Sequence, residues 1–274
     1  MTYNALGVKM KDSDKTLAEF LGIEMPAPDK PTELKVEKVY TENLAEIVVE
    51  LSNAELIKNT DALLNPANYR LTNTDAVVRH VHLDGDNVVL TLVPYGKVLD
   101  QPKFDVLTKG NVFKLTIRNV DPKINTTTGW ITAVDNALPV VEDVDFMGEY
   151  GIKVTTSEPI ANPEERNFRV DSRTSMFVEQ YGRDIILTPY HEKTFGKDTT
   201  ELTIDILEDF SEYKTVKKAY DMKLSDDEGL PKVEKAYRTG NKLVVVFDRD
   251  VYHKSVEAYR NRRNLGNVSF VERR

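Results

Sequence analysis

No cysteine occurs among the 274 residues, which excludes thiol nucleophiles, thiolate metal sites and disulfide staples together. A secreted eukaryotic domain pair of this size would carry disulfides, so the cytosol or a bacterial surface is favoured. Histidine is also scarce: only His80, His82, His191 and His253 are present. His80 and His82 share one face of a strand and could offer two ligands to a metal, but no third ligand is in sight. Both therefore read as ordinary surface histidines. No run approaches the roughly 20 apolar residues of a membrane helix. The opening Met-Thr-Tyr-Asn-Ala-Leu-Gly lacks the basic and apolar regions of a signal peptide. Positive charge is in deficit, with 37 Lys and Arg against 45 Asp and Glu and a net charge of −8. That balance argues against nucleic acid as a partner. There is no Gly-x-Ser-x-Gly, and Gly196-Lys197-Asp198-Thr199 lacks the earlier glycine of a phosphate loop, its place being held by His191. Carboxylates are abundant, but no spacing pairs them for acid–base work. The chain reads as non-enzymatic, with no catalytic, cofactor or metal residues assigned.

What the chain does have is repetition. Pro31 leads through Leu34, Val36 and Val39 to Ile47-Val48-Val49-Glu50-Leu51-Ser52. Pro139 leads through Val141 and Val144 to Ile152-Lys153-Val154-Thr155-Thr156-Ser157-Glu158-Pro159-Ile160. Pro231 leads through Val233 to Leu243-Val244-Val245-Val246-Phe247-Asp248-Arg249-Asp250-Val251. Each unit is a proline-led strand, a polar turn, a β-branched strand, and then Ser or Asp before an apolar residue. Asn68-Tyr69-Arg70-Leu71, Asn167-Phe168-Arg169-Val170 and Ala258-Tyr259-Arg260 follow in the same order. Further strands are expected at 87–94 after the Asp84-Gly85-Asp86 turn, at 113–117, at 184–189 and at 202–206. Leu115 and Ile117, like Leu202, Ile204 and Ile206, alternate as strands with one buried face do. The prolines lie 108 and 92 residues apart, which suits sandwich domains of about 100 residues and roughly seven strands.

The predicted fold is all-β: tandem immunoglobulin-like β-sandwiches with a short N-terminal helical arm. The expected divisions are an arm over 1–30, sandwiches over 31–130 and 131–228, and an incomplete third module over 229–274. The segments Thr156-Ser157-Glu158-Pro159-Ile160 and Val246-Phe247-Asp248-Arg249-Asp250-Val251, with the Asn-Tyr-Arg or Asn-Phe-Arg that follows, resemble the bacterial Ig-like modules of Gram-positive surface-layer proteins and phage virion proteins. That resemblance covers most of 31–274. It implies a non-enzymatic structural subunit whose partners are copies of itself or other subunits of one assembly. It also makes calcium at a module junction worth considering, with Asp143, Asp145 and Asp226-Asp227-Glu228-Gly229 as nearby acids; a solvated acidic linker is the competing reading.

A virion protein (capsid decoration, neck or tail) is the favoured assignment, with a fragment of a bacterial surface-layer protein as the alternative. Adhesion or carbohydrate binding is a second alternative. It requires aromatics such as Tyr181, Tyr190 and Tyr213 to cluster at one end, whereas Trp130 is expected to pack the boundary between the first two modules. Leu17, Phe20 and Leu21 fall on one face of a short capped helix that either docks on another subunit or folds back on the first module. Arg260, Arg262 and Arg263 make the last eighteen residues basic. Strand residues Leu243, Val245 and Phe247 are candidate contacts, because the third unit, aligned on the second, lacks its later strands. Completion by another polypeptide, continuation in a longer protein and folding back on the second sandwich are all open.

Overall fold

In the computed structural model, residues 33–147, 151–171, 176–190, 195, 199–223, 232–239 and 242–247 are described. Seven strands and one short extra strand build a first pair of sheets. One runs in the order β1 (Val36–Tyr40), β2 (Glu46–Leu51), β5 (Asn87–Thr91), β4 (His80–Asp84). The other joins β3 (Tyr69–Thr72), β7 (Val112–Ile117) and β8 (Thr126–Thr127), with β9 (Ile131–Thr132) also pairing β7. A second pair repeats the scheme. Its larger sheet is β10 (Val141–Phe146), β11 (Ile152–Thr156), β14 (Asp184–Pro189), β13 (Met176–Tyr181), and its smaller one is β12 (Phe168–Val170), β15 (Thr199–Ile204), β16 (Lys218–Lys223). First, second, fifth and fourth strands on one sheet, and third, sixth and seventh on the other, is the order of a seven-stranded immunoglobulin constant-type sandwich. Among the described residues, helix is confined to single turns such as Thr60–Leu63.

Alternation along the strands makes each core. Ile47, Val49 and Leu51 on β2 and Val88 and Leu90 on β5 meet Tyr69, Phe113, Leu115 and Ile117 from the facing sheet. In the second unit Ile152, Val154, Ile185 and Leu187 meet Phe168, Val170, Leu202 and Ile204. The registers coincide: Tyr69 lies opposite Ile117 as Phe168 lies opposite Ile204, and Leu71 opposite Leu115 as Val170 opposite Leu202. Tyr69 is buried, so its hydroxyl needs a partner, and it donates to the Leu63 carbonyl at 2.6 Å.

The repeated polar residues have structural work to do. Ser52 Oγ accepts from Lys35 N at 2.9 Å and Ser157 Oγ accepts from Val140 N at 3.0 Å, tying the end of the second strand to the start of the first. Asn68 and Asn167 each end a single 3-10 turn, and their carbonyls accept from Arg118 N and Asp205 N. A further repeat lies in Val36-Glu37-Lys38, Val141-Glu142-Asp143 and Val233-Glu234-Lys235. In each, the register shifts by one residue between the valine and the residue after the glutamate, the signature of a β-bulge. The hairpin of β17 (Val233–Thr239) and β18 (Lys242–Phe247) thus copies the first two strands of both sandwiches.

Candidate functional site: a buried polar junction between the sandwiches

The two sandwiches meet through polar side chains and a few apolar ones: Phe210 of the second packs against the first core and Val98 of the first against the second. From the first come the loop after β1, β6 (Gly96–Lys97) and the segment around Lys109; from the second come the loops after β11, β13 and β15. Thr41 Oγ1 donates to the Val134 carbonyl at 3.0 Å and accepts from Val134 N at 2.8 Å, which fastens the connecting segment to the first sandwich. β6 then crosses over and pairs antiparallel with β13, Gly96 opposite Gln180 and Lys97 opposite Glu179. Gly96 has φ +113°, a conformation that favours glycine, and this permits the crossing. Tyr95 stacks on His80 with ring centroids 3.5 Å apart and meets Tyr181 edge-on at 5.7 Å.

An ion pair lies beneath this contact. Glu46, at the start of β2, is 1% exposed. Its Oε2 accepts from Arg183 Nε at 2.9 Å and Asn43 Nδ2 at 3.1 Å, with Arg183 Nη2 also at 2.9 Å. Arg183 occupies the β13–β14 turn, where Gly182 takes φ +66°, and its carbonyl accepts from the backbone and side chain of Thr156.

Beside the pair, three carboxylates converge: Asp135 from the connecting segment, Glu158 just after β11 and Asp209 from the loop after β15. One oxygen of each lies within 4.8 Å of the others, and all three residues are buried. Asp209 Oδ1 accepts from Ser211 N at 2.7 Å and Tyr213 N at 2.9 Å, and Asp135 Oδ2 accepts from Ser211 Oγ at 2.7 Å. Lys109, the nearby ammonium, donates instead to the Asp135 backbone carbonyl and the Tyr213 hydroxyl, both at 2.6 Å. Burial, reinforced by Asp135, Asp209 and Glu46, pushes the Glu158 carboxyl up to about 8. Burial also raises Asp209, against the two backbone N–H groups that favour its charge.

His80 departs from the expectation of an ordinary surface histidine. Burial, and then Arg79, hold its pKa down to about 4. A histidine kept neutral in the fold but free to protonate when unfolded loses its stabilising contribution as pH falls from about 6.5 towards 4. A His80→Gln protein should therefore lack part of the wild type's decline in melting temperature between pH 6.5 and 4, and parallel melts across that range check this.

The structure redistributes the residues singled out in the sequence. Asp143 and Asp145 lie exposed on β10, away from the acidic cluster, and Asp226–Gly229 lies outside the described residues. Trp130 does not pack the boundary: it is 60% exposed, with the Lys114 ammonium 4.5 Å from its ring, because the short β9 leaves it at the sheet margin. The tyrosines do not join it. Tyr181 meets Tyr95, Tyr190 donates to Glu165, and Tyr213 accepts from Lys109. Leu17, Phe20, Leu21, Arg260, Arg262 and Arg263 lie outside the described residues. Leu243, Val245 and Phe247 are on β18, paired with β17, and Val245 is half-buried. Sequence reading missed Asp135, Glu158 and Asp209 as a group. The one local signal was an acid, Glu158, between Ser157 and Pro159 at a strand end that then turns inward to buried Ile160.

The molecule so defined is an all-β chain of consecutive sandwiches joined through a polar junction. No family model matches it. It is 28% identical over 230 residues to the surface-layer 125 kDa protein of Lysinibacillus sphaericus, covering 83% of this chain and 19% of that protein. It is also 28% identical over 244 residues to the outer cell wall protein of Brevibacillus brevis, covering 88% of this chain and 22% of that one. The chain thus spans about a fifth of the length of the curated relatives it matches. Solved structures similar to it include the N-terminal part of the bacterial S-layer protein SbsC, with TM-score 0.31 and 12% identity over 68% of this chain and 43% of that one. Domains 1–6 of the same protein give TM-score 0.30 and 11% identity over 78% and 45%. The chain resembles surface-layer proteins; the relatives named here do not support the virion half of the sequence-based resemblance.

Proposed function

We propose that this chain is a non-enzymatic structural segment of a bacterial surface-layer protein, displayed at the cell surface with copies of itself as its principal partners. The observation that carries this reading is the 28% identity, sustained over 83% of the chain, to a surface-layer protein. It favours the surface-layer assignment over the virion assignment preferred from the sequence. The molecule's construction agrees with a structural role: successive sandwiches, with strands from Val36 to Thr132 and from Val141 to Lys223, are tied end to end by hydrogen-bonded backbone and an ion pair whose Glu46 end is buried. The β17–β18 hairpin reads as the opening of a third sandwich in the same series. The arm residues Leu17, Phe20 and Leu21 and the basic Arg260, Arg262 and Arg263 are proposed subunit contacts. Immunogold labelling of intact host cells with antibody raised to this chain tests the assignment. Regular peripheral label supports it, whereas label that follows purified phage particles and leaves the cell periphery bare overturns it.

A further inference from the structure

We propose that the outer face of the smaller sheet of the first sandwich binds a glycan, with Trp130 stacking on one sugar ring and an adjoining cavity receiving the next. The ligand class is an uncharged hexopyranose chain. The inference goes beyond the surface-layer reading and does not depend on it.

Strand register assembles the site. Phe113, Leu115 and Ile117 of β7 point into the core, so Val112 and Lys114 point outward. Val112 lies opposite Thr132 and Phe113 opposite Ile131, which brings Trp130 beside Lys114. The Lys114 ammonium, 4.5 Å from the ring centroid, steadies the indole yet leaves Trp130 60% exposed. Two residues along the strand, about 7 Å away, Val112 forms part of the wall of a cavity. That cavity holds about 220 Å3, and Asn73, Asp75, Asp105, Thr108 and Asn111 line it. Its walls are fixed in advance. Asn73 Nδ2 donates to the Val112 carbonyl at 2.7 Å, Asn111 N to the Thr108 carbonyl at 3.0 Å, and Ala133 N to the Asn111 carbonyl at 2.8 Å. Among the described residues, the side chains of Asp75, Asp105, Thr108 and Asn111 have no protein hydrogen-bond partner, so they are available to a ligand.

This pairing of features selects a sugar over a protein partner. A pyranose carries C–H groups on its ring face and hydroxyls around its rim. The C–H groups pack on the negative face of an indole, and carboxylates and amides accept from and donate to the hydroxyls. A protein interface needs an apolar centre. Among the described residues, Val112 is the one other exposed large apolar side chain on this face, and the outward neighbours are Thr72, Thr127 and Thr132. Asp75 and Asp105 at the cavity turn away an anionic polymer by like-charge repulsion.

Trp130 is the only tryptophan in the chain, so its fluorescence reads the site directly. The full chain should be titrated with cellohexaose, chitohexaose and maltohexaose up to about 10 mM, beside ionised hexagalacturonate. At least one neutral oligosaccharide should shift or quench the emission saturably, and hexagalacturonate should bind about tenfold more weakly or not at all. By titration calorimetry with that oligosaccharide, Trp130→Ala should weaken binding about tenfold or more, and so should Asp105→Ala with Asn111→Ala. All these side chains are exposed, so the melting temperatures should stay at the wild-type value. No saturable response to any of the three neutral oligosaccharides overturns the site, as does binding that survives Trp130→Ala. Should Trp130→Ala fail to fold, the cavity variant decides, and undiminished binding there overturns the site. An emission shift that follows protein concentration without sugar would assign the face to contact between copies instead.

Discussion

An Arg183→Ala protein is expected to lose about 3 kcal/mol of stability, because the substitution strands the Glu46 carboxylate in the junction. Glu46 is 1% exposed and its Oε1 has no partner, so the Arg183 guanidinium and the Asn43 amide, both on Oε2, are its compensation. Breaking a buried pair costs more than the pair contributes, since the remaining charge keeps its desolvation penalty without the attraction that offset it. The double variant Arg183→Ala with Glu46→Gln should recover a substantial part of the loss, because a neutral amide tolerates that pocket better than an isolated carboxylate. Arg166→Ala makes the control. Its partner is Glu164 and their side chains are 80% and 43% exposed, so stability should barely change. Urea titrations of the four proteins measure all of this. Equal midpoint shifts for the Arg183 and Arg166 variants would show that the junction pair is no better protected from solvent than an ordinary surface pair.

Why the sandwiches were legible in the sequence while their junction was not follows from the range of each signal. A sandwich writes itself locally. Strand alternation, the glycine turns at Gly85 and Gly182, and the Ser52 and Ser157 locks each involve neighbours in sequence or one strand pair. The repeat then certifies them by recurring. The Val-Glu bulge shared by β1, β10 and β17 was equally local, and went unread because a bulge leaves no break in the hydrophobic pattern. The junction has no such local signature. Asp135, Glu158 and Asp209 come from a connector and two loops, and nothing near any of them announces the other two until the second sandwich is closed and set against the first. Glu46 shows the same limit: it begins a buried strand, and only Arg183, 137 positions away, explains the charge. Gly96 and Lys97 carry no strand signal of their own, because their partner strand belongs to the other sandwich. Trp130 misled for a related reason. Large aromatics are usually covered, but β9 is only two residues long and no sheet closes over it.

Truncating the second core tests whether the junction makes one unfolding unit of two sandwiches. Phe168 is fully buried between β12 and the facing sheet, and Phe168→Ala should cost about 3–5 kcal/mol by opening a cavity there. The sequence alone predicts independent domains, in which that loss would stay in the second sandwich. The structure predicts otherwise, because β6 leaves the first sandwich to lengthen a sheet of the second and Glu46 of the first depends on Arg183 of the second. Unfolding the second unit would expose the β6 backbone and strand a buried carboxylate, and these losses fall on the first. Trp130 supplies the reporter. It is the only tryptophan in the chain and sits beside β9, which pairs with β7 of the first sandwich. In Phe168→Ala, the transition followed by Trp130 fluorescence should move down together with the transition followed by far-ultraviolet circular dichroism. A Trp130 transition that stays at the wild-type midpoint while part of the dichroism signal is lost earlier would mean that the junction is too weak to couple the cores.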